Sequence, residues 1–346
     1  MALRQAFEIL DQPVEAGTRR TVDLPISVLS NHMPLMLPVH IVHGQTAGPT
    51  IFLSAAVHGD EIIGVEIIRR LLKSPVLDKL RGTLLAVPVV NSLGFIGRSR
   101  YLPDRRDLNR SFPGSAKGSL AAQLADLFLT QIVKKSDFGI DLHSAAIHRV
   151  NLPQIRVSPD RPKSLELAIA FGPPLVITAP LREGSLRHVA AEFDTEVLLF
   201  EAGEALRFDE FAVRAGVSGI LRVMKKLEMI RAKAVRDTKV RPALSESSQW
   251  LRAPAGGLFR AFKTIGERVE QGDLIGIISD PFGEAETEVL AQRAGLIIGR
   301  SNLPVVNQGD GLAHVAVLKR AQVEDATERL EAELQADPLF DEEEII

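Results

Sequence analysis

The sequence contains no cysteine among its 346 residues. This absence excludes disulfide bonds, iron–sulfur clusters, thiolate metal sites and cysteine nucleophiles. Any transition-metal site in this chain must therefore be built from histidine and carboxylate ligands. The chain has eight histidines and 44 acidic residues from which such a site can be assembled.

The sequence also lacks an excess of either charge and a long apolar run. Its formal net charge is −3, so no global electrostatic attraction to nucleic acid or to an anionic membrane is expected. No segment approaches the roughly 18–20 continuous apolar residues of a membrane span. The first twelve residues contain acids and no apolar core, which is not a signal-peptide pattern. We therefore expect a soluble, cytoplasmic protein, and we leave open whether it forms a homo-oligomer.

The residues that are present favour an α/β fold, because strand-like and helix-like patterns alternate along the chain. We predict strands within residues 20–57 and over 82–91, 138–143, 165–172 and 196–204. We predict helices over 62–75 and 119–135, with a long polar loop over 92–118 between them. The alternation is typical of a mixed, mainly parallel sheet flanked by helices.

The length and a change of pattern near residue 240 predict two domains. We predict an α/β catalytic domain over 1–240, a small all-β domain over 241–330 and an acidic tail over 331–346. The short strands and regular glycines after residue 249 resemble the barrel-sandwich modules of biotinyl and lipoyl proteins. Those carrier modules present a lysine at a hairpin tip, whereas the corresponding "SDPFGEA" has none. We therefore expect a structural or gating role for the module.

Polar residues end several of the predicted strands, and ligands collect at the carboxyl ends of strands in such sheets. His58, Asn91, His143 and Glu201 all lie at these positions. Because Glu61 follows His58 by three residues, both side chains can reach one metal ion. One such pair is also expected by chance, and a surface histidine beside acids at a helix start is the simpler alternative.

The motif "DLHS" supplies a third candidate ligand, His143. Two histidines and one glutamate with an open position are typical of a catalytic zinc site, although His143 alone could be a core histidine. Asp141 could orient His143 or cap a loop. Glu201, at the end of an apolar strand, could transfer a proton or form a salt bridge. Glu204 is the alternative candidate for the proton-transfer role.

The loop "RYLPDRRDLNRSFPG" is rich in arginine, whose planar side chain binds carboxylates and polarises carbonyl groups. Asn109 adds an amide group to the same loop. The alternative is a solvated charged loop, but its proline and glycine residues favour a fixed shape.

Taken in order, "HGDE", "DLNRSFPG", "DLHS" and "FEAGE" resemble the succinylglutamate desuccinylase/aspartoacylase family over about residues 45–230. The resemblance implies a zinc carboxypeptidase-like fold, and the C-terminal module is similar to one that this family carries. It also implies that His58, Glu61 and His143 bind one zinc ion per subunit. By the same resemblance, Glu201 is the general base and acid.

The resemblance further implies that Asn109 and Arg110 contact the substrate or the developing oxyanion. Arg100 is a further predicted substrate contact, although it lies two residues farther from "DLNR" than expected. Arg187 could bind a substrate carboxylate, but no motif fixes its role.

These features predict a zinc-dependent amidohydrolase that removes a succinyl or acetyl group from an N-acylated amino acid or a related small amine. Its expected partner is this small molecule, with no nucleic acid and no membrane. A carboxypeptidase-like peptide hydrolase of the same fold and a non-catalytic binding protein remain the alternatives.

Overall fold

The computed structural model describes most of the chain, and the predicted acidic tail lies almost entirely outside the described part. The described residues are 4–231, 233, 235–238, 241–318, 331, 332 and 335. Parts of the predicted boundary near residue 240 and the end of the predicted all-β domain also lie outside them.

The helices up to residue 318 follow the strands in the alternation that the sequence predicts. They are α1 (Ile63–Lys73), α2 (Ser92–Ile96), α3 (Leu120–Gln131), α4 (Pro162–Phe171), α5 (Leu186–Glu192) and α6 (Glu210–Lys226). Ser119 begins α3 as the sequence suggests, because its hydroxyl accepts a hydrogen bond from the Ala122 N–H.

The strands before residue 240 are β1 (Phe7–Ile9), β2 (Gln12–Val14), β3 (Thr18–Val28), β4 (Pro34–His43), β5 (Thr46–Ala55), β6 (Arg81–Val87), β7 (Phe138–Ala145), β8 (Arg149–Val157), β9 (Leu175–Thr178) and β10 (Glu196–Glu204). The later strands are β11 (Ala243–Ser245), β12 (Ser248–Arg252), β13 (Gly257–Ala261), β14 (Arg268–Val269), β15 (Leu274–Ser279), β16 (Glu286–Leu290), β17 (Gly295–Ser301), β18 (Val305–Val306) and β19 (Gly311–Val317).

Within the described residues, thirteen strands form one large mixed sheet. Its main path runs in the order β12-β19-β17-β8-β10-β7-β5-β6-β4-β3. The four central strands β10, β7, β5 and β6 are parallel, and antiparallel neighbours flank them on both sides. The predicted mixed α/β fold is therefore confirmed. The expectation of a mainly parallel sheet is wrong, because antiparallel pairings outnumber the parallel ones among the described residues once the flanking and C-terminal strands join the parallel centre.

Helices cover both faces of the central strands. On one face α1, α4 and α6 pack against the sheet through side chains such as Ile67, Phe171 and Ile220. On the other face α3 and α5 cover the sheet, and Phe128 meets Phe52 edge to face at 5.8 Å between ring centroids. Each fully buried side chain of this size contributes roughly 1.5–3 kcal/mol to the free energy of unfolding.

The strand predicted over 165–172 is wrong, because residues 165–171 lie in helix α4 and Gly172 is its C-cap. A short, mostly apolar run fits a buried helix as well as a buried strand, so its periodicity does not distinguish the two. The flanking residues are those of a helix. Pro162 stands in the first turn, and Gly172 adopts a left-handed backbone with φ of 73° just after the helix.

The C-terminal strands continue the main sheet. Strand β17 pairs with β8 through residues 299–301 and 149–151, and β19 and β12 extend the sheet beyond it. Leu152, Ile298 and Ala316 share a small apolar core at this junction. A separate four-stranded sheet, in the order β16-β15-β13-β18, contains the lysine-free hairpin. The domain division at residue 240 stays a prediction.

A membrane-spanning helix requires a long apolar segment, and none of the helices in the described part of the chain meets this requirement.

Candidate metal centre

The parallel strands bring the candidate ligands to one edge of the sheet. His58 follows β5, His143 lies near the end of β7, and Glu201 lies near the end of β10. Glu201 and His143 are direct neighbours in the register of β10 and β7. Side chains at paired positions of parallel strands lie on the same face, so these two groups share one pocket wall.

The turn after β5 needs a glycine in "HGDE". A Cβ atom on Gly59 would lie 2.0 Å from the carbonyl carbon of Gly94, so the backbones of the turn and of α2 could not approach as they do. The backbone nitrogen of Glu61 donates a hydrogen bond to the His58 carbonyl at 3.1 Å. This tight turn places the Glu61 side chain beside the His58 ring.

The Glu61 carboxylate lies between two imidazole rings. The distance from Glu61 Oε1 to His58 Nδ1 is 2.7 Å, and the distance from Glu61 Oε2 to His143 Nδ1 is also 2.7 Å. All three residues are buried. One ligand atom from each residue lies within 4.8 Å of the others, which is compact enough for a single ion.

A carboxylate also lies beside the outer nitrogen, Nε2, of each imidazole ring, whereas the inner nitrogen, Nδ1, faces Glu61. His58 Nε2 lies 3.0 Å from Asp107 Oδ1, and His143 Nε2 lies 2.8 Å from Asp141 Oδ2. The Ser54 hydroxyl donates to the other Asp141 oxygen at 2.7 Å. Metal-binding histidines in proteins are oriented in this way, with the outer N–H given to a carboxylate and the inner nitrogen left for the ion.

The charges at the centre keep Glu61 ionised. Burial raises the pKa of its carboxyl group, but His58 and His143 outweigh burial and hold the pKa far below its ordinary value. Burial lowers the pKa of His143, whereas Asp141 and Glu61 raise it well above its ordinary value. Glu61 is therefore a carboxylate, the form that binds a metal ion.

Arg100 contacts the centre directly. Its guanidinium group donates to Glu61 Oε1 at 3.0 Å and to Asp107 Oδ2 at 3.1 Å. Burial raises the pKa of Asp107, but His58 and Arg100 hold it well below its usual range. Arg100 thus links two acidic groups of the centre, and its predicted contact with substrate stays a prediction.

The "DLNR" segment forms a short 3-10 turn over Leu108–Arg110. Asp107 begins the turn by accepting a hydrogen bond from the Asn109 N–H at 2.9 Å, and Asn109 Oδ1 accepts one from the Leu186 N–H at 2.9 Å. The second contact ties the turn to the start of α5. Arg110 is exposed and lies at the same pocket, where it donates to the Asn109 carbonyl oxygen.

Glu201 accepts a hydrogen bond from the side-chain amide of Asn151 at 2.9 Å. Its competitor Glu204 instead accepts hydrogen bonds from the His148 backbone and from Asn302, both at 2.9 Å. The fourth strand-end residue, Asn91, caps α2 by accepting from the Gly94 N–H. Glu201 and Asn151 line the pocket with the histidines, whereas Glu204 and Asn91 do not.

The candidate site is a pocket of about 380 Å³ whose walls come from both parts of the chain. Trp250 of β12 and His314 of β19 belong to its lining, and their rings stack at 4.8 Å between centroids. The Arg149 guanidinium lies 5.0 Å above the Trp250 ring. A larger cavity of about 900 Å³ opens at the amino ends of β5 and β6, the opposite edge of the sheet.

Arg187 also lines the pocket. Burial and the neighbouring Arg156 lower its pKa to about 10, and its Nη1 atom has no hydrogen-bond partner among the described residues. Glu201 and Asp141 act on its charge in the opposite direction and raise the pKa. A buried guanidinium nitrogen without a hydrogen-bond partner favours an anionic ligand.

The sequence did not reveal several residues of this pocket. Asp107 stands in the quoted "DLNR" motif, and the need of a ligating histidine for an acidic partner could have identified it. Asn151, Arg156, Trp250 and His314 carry no local motif, because strand pairing across the sheet brings them to the pocket.

The donor set fits a zinc ion. Two imidazole nitrogens and one carboxylate, with water or substrate completing the coordination, are typical of catalytic zinc sites. The inner nitrogens of both rings already point toward Glu61, and the outer nitrogens are held. A metal ion could therefore bind without any new orientation of the rings.

The fold and this cluster define an α/β protein with a candidate single-metal centre at the carboxyl ends of its parallel strands. The chain belongs to the succinylglutamate desuccinylase/aspartoacylase family, because residues 47–227 match the model of that family's catalytic domain.

Individual relatives extend the likeness over most of the chain. The N-alpha-acetyl-L-2,4-diaminobutyric acid deacetylase of Halomonas elongata is 29% identical over 310 residues, covering 82% of this chain and 86% of that protein. A crystal structure of a succinylglutamate desuccinylase/aspartoacylase from Rhodobacter sphaeroides has a TM-score of 0.76 at 25% identity, covering 87% of this chain and 96% of that one. The product-bound ectoine utilization protein EutE (DoeB) of Ruegeria pomeroyi shares the fold, with a TM-score of 0.77 at 24% identity, covering 86% and 95%.

His314 is expected to make the folded protein less stable in weak acid. Burial and Arg156 lower its pKa from 6.5 to about 4. Between these values the unfolded chain binds a proton that the folded chain does not, so stability falls as the pH decreases from 6.5 toward 4. The loss from this residue is on the order of 2–3 kcal/mol.

Urea unfolding at about pH 7 and about pH 4.5 measures this effect. The His314→Gln variant is expected to lose less stability between the two pH values than the unmodified chain, because it cannot take up this proton. Equal losses in the two proteins would contradict the role of His314.

Proposed function

We propose that this protein is a zinc-dependent amidohydrolase that removes an acyl group from an N-acylated amino acid or a related small amine. The buried cluster of His58, Glu61 and His143 carries the proposal, because its inner ligand atoms converge while carboxylates hold both outer imidazole nitrogens. Family membership and the deacetylase relative support hydrolysis of an amide bond.

The three residues would hold the zinc ion, with Asp107 and Asp141 fixing the two histidine rings. When bound, zinc supplies Lewis-acid chemistry, because it polarises an amide carbonyl and makes water more acidic. Arg100, on Glu61 and Asp107, balances part of the negative charge around the centre.

Glu201 acts as general base and then as general acid. Its carboxylate takes a proton from the water that attacks the amide carbonyl carbon. When the carbon–nitrogen bond breaks, Glu201 gives this proton to the leaving amine nitrogen. The products are a carboxylic acid and a free amine. Arg110 and Asn109, at the same pocket, stabilise the negative charge that develops on the carbonyl oxygen.

The substrate carries a carboxylate that binds to Arg187, whose half-buried side chain lines the pocket with its Nη1 atom unbonded among the described residues. The Halomonas relative is a deacetylase, which supports an acetyl group. The family name equally supports a succinyl group. A pocket of about 380 Å³ suits either small acyl amino acid better than an extended peptide.

The proposal includes a zinc carboxypeptidase-like arrangement of the α/β part, with a catalytic domain over residues 1–240 and an all-β domain over 241–330. The lining residues Trp250 and His314 support a role for the second domain in closing the pocket.

A deacylation screen tests the function. The substrates are the N-acetyl and N-succinyl forms of L-aspartate, L-glutamate and L-2,4-diaminobutyrate, each assayed with and without a chelator. We expect at least one to be hydrolysed, with loss of turnover after chelation and recovery with added zinc. Faster turnover of dipeptides with a free carboxyl terminus would instead support a peptide hydrolase. A metal-free protein inactive on every compound would support a binding protein.

Asp141→Asn is expected to weaken zinc binding about 10- to 100-fold, because it removes the charge that orients His143. A competition titration with a zinc-binding dye measures the affinity. Asp23→Asn, which changes an exposed carboxylate on β3, is the matched control and should leave the affinity unchanged. Equal affinities for the two variants would show that Asp141 does not support the metal centre.

A further inference from the structure

A row of paired residues connects the C-terminal strands with the proposed catalytic base. In the register of the sheet, His314 of β19 pairs with Gly299 of β17, and Gly299 pairs with Asn151 of β8. Asn151 in turn pairs with Gly203 of β10. The buried Asn151 side chain then donates its amide hydrogen to Glu201 Oε2 at 2.9 Å.

Gly299 leaves the space that Asn151 occupies. A Cβ atom at position 299 would lie 2.8 Å from Asn151 Oδ1 and 3.3 Å from the Val150 carbonyl oxygen. The first distance is shorter than side chains tolerate, so the Asn151 amide would have to move. Its amide nitrogen is the group bonded to Glu201, and such a movement would disturb that bond.

The strands on both sides of Asn151 are irregular at this row. The pairing of β10 with β8 shifts between Glu201 and Gly203, and the pairing of β17 with β19 shifts between Ile297 and Gly299. Such bulges re-aim side chains next to functional sites. Here they lie on either side of the strand that carries Asn151.

We propose that Asn151 is a positioning residue that holds the Glu201 carboxylate for proton transfer, and that Gly299 of the C-terminal segment keeps Asn151 in place. The proposal rests on the proposed function, because it needs Glu201 as the base. It assigns the C-terminal strands a part in catalysis, since Gly299 acts on Glu201 through one intervening side chain.

The chemistry of the amide suits this role. An asparagine N–H donates to the carboxylate without taking up the proton that Glu201 must accept. It engages Oε2 and leaves Oε1 to take the proton from water. A hydrogen bond to a charged group is stronger than one between neutral groups, so it restricts rotation of the carboxylate. Correct orientation of a catalytic group contributes directly to kcat.

Steady-state kinetics on the most rapidly hydrolysed compound of the deacylation screen provide the first test. Asn151→Leu, of similar size but without the N–H, is expected to lower kcat about 10- to 100-fold with little change in KM. Asn151→Asp is expected to lower kcat further, because it places a second carboxylate against Glu201. Circular dichroism and thermal unfolding establish that both variants are folded.

Gly299→Ala tests the connection to the C-terminal segment. It is expected to lower kcat roughly fivefold or more, and to cause no further loss in the Asn151→Leu background. Gly256→Ala is the matched control, because a Cβ there meets no atom closer than 3.6 Å. It should retain the kcat of the unmodified enzyme. Losses from Gly299→Ala and Asn151→Leu that simply multiply would overturn the connection.

A crystal structure of Gly299→Ala provides a readout that needs no activity. We expect the Asn151 amide to have moved out of hydrogen-bond distance of Glu201, and an unchanged 2.9 Å contact would overturn the proposal. Unmodified kcat in Asn151→Leu together with an inactive Glu201→Gln would reject this inference alone. An active Glu201→Gln would reject the proposed function as well.

Discussion

Replacing Glu201 with glutamine is expected to lower kcat about 100- to 10,000-fold, the usual contribution of a general acid–base group. Glutamine has nearly the same shape but cannot take the proton of the attacking water. KM is expected to change little, because the guanidinium and amide groups that line the pocket remain in place. Steady-state kinetics on the most rapidly hydrolysed N-acyl amino acid measure both constants.

The matched control for this change is Glu204→Gln, three residues along the same strand. Glu204 is bonded to His148 and Asn302 and does not line the pocket, so its variant should keep nearly unmodified turnover. The zinc content of Glu201→Gln should equal that of the unmodified enzyme, which separates loss of the base from loss of the metal. Turnover near the unmodified rate in Glu201→Gln would exclude Glu201 as the base.

Glu61→Gln is expected to weaken zinc binding about 100-fold or more, because two buried imidazoles would then face a neutral amide in place of a carboxylate. Activity should be lost in parallel, and zinc added at high concentration should restore part of it. Equilibrium dialysis followed by metal analysis gives the affinity, and the same samples give the activity.

Glu66→Gln is the control for Glu61→Gln. Glu66 lies in α1, pairs with Arg69 and Arg70, and does not line the pocket. Its variant should bind zinc as tightly as the unmodified protein. If Glu61→Gln bound zinc equally well, the ion would have to lie elsewhere and the account of the centre would be wrong.

The candidate ligands could be predicted because the sequence marks strand ends clearly. His58 and His143 each end an apolar run, and parallel strands end at one edge of a sheet. The three-residue spacing of His58 and Glu61 then brings two ligands together within one turn. These signals lie within short segments of the chain, so they can be recognised without the three-dimensional structure.

Strand β8 could not be recognised in the same way. It contains Pro153 in its interior and four polar residues among its nine, which weakens the strand pattern. It nevertheless lies between β10 and β17 and supplies Asn151 to the pocket. Because this strand was missed, the sequence did not show that Asn151 lies between Glu201 and the C-terminal strand β17.

The positions of Trp250 and His314 in the pocket wall could not be predicted from the sequence either. These residues are 64 positions apart and are neighbours only because β12 pairs with β19. The pairing of β17 with β8 then brings both strands to the part of the sheet that carries Glu201. No spacing rule within one segment could have placed them beside Glu201.

Anomalous X-ray scattering at the zinc edge tests the central claim most directly. Crystals of the purified, unmodified protein are predicted to show one zinc peak in contact with Nδ1 of His58, Nδ1 of His143 and the Glu61 carboxylate. A protein that hydrolyses an N-acyl amino acid in the presence of a chelator, with no anomalous peak among these three residues, would contradict the account.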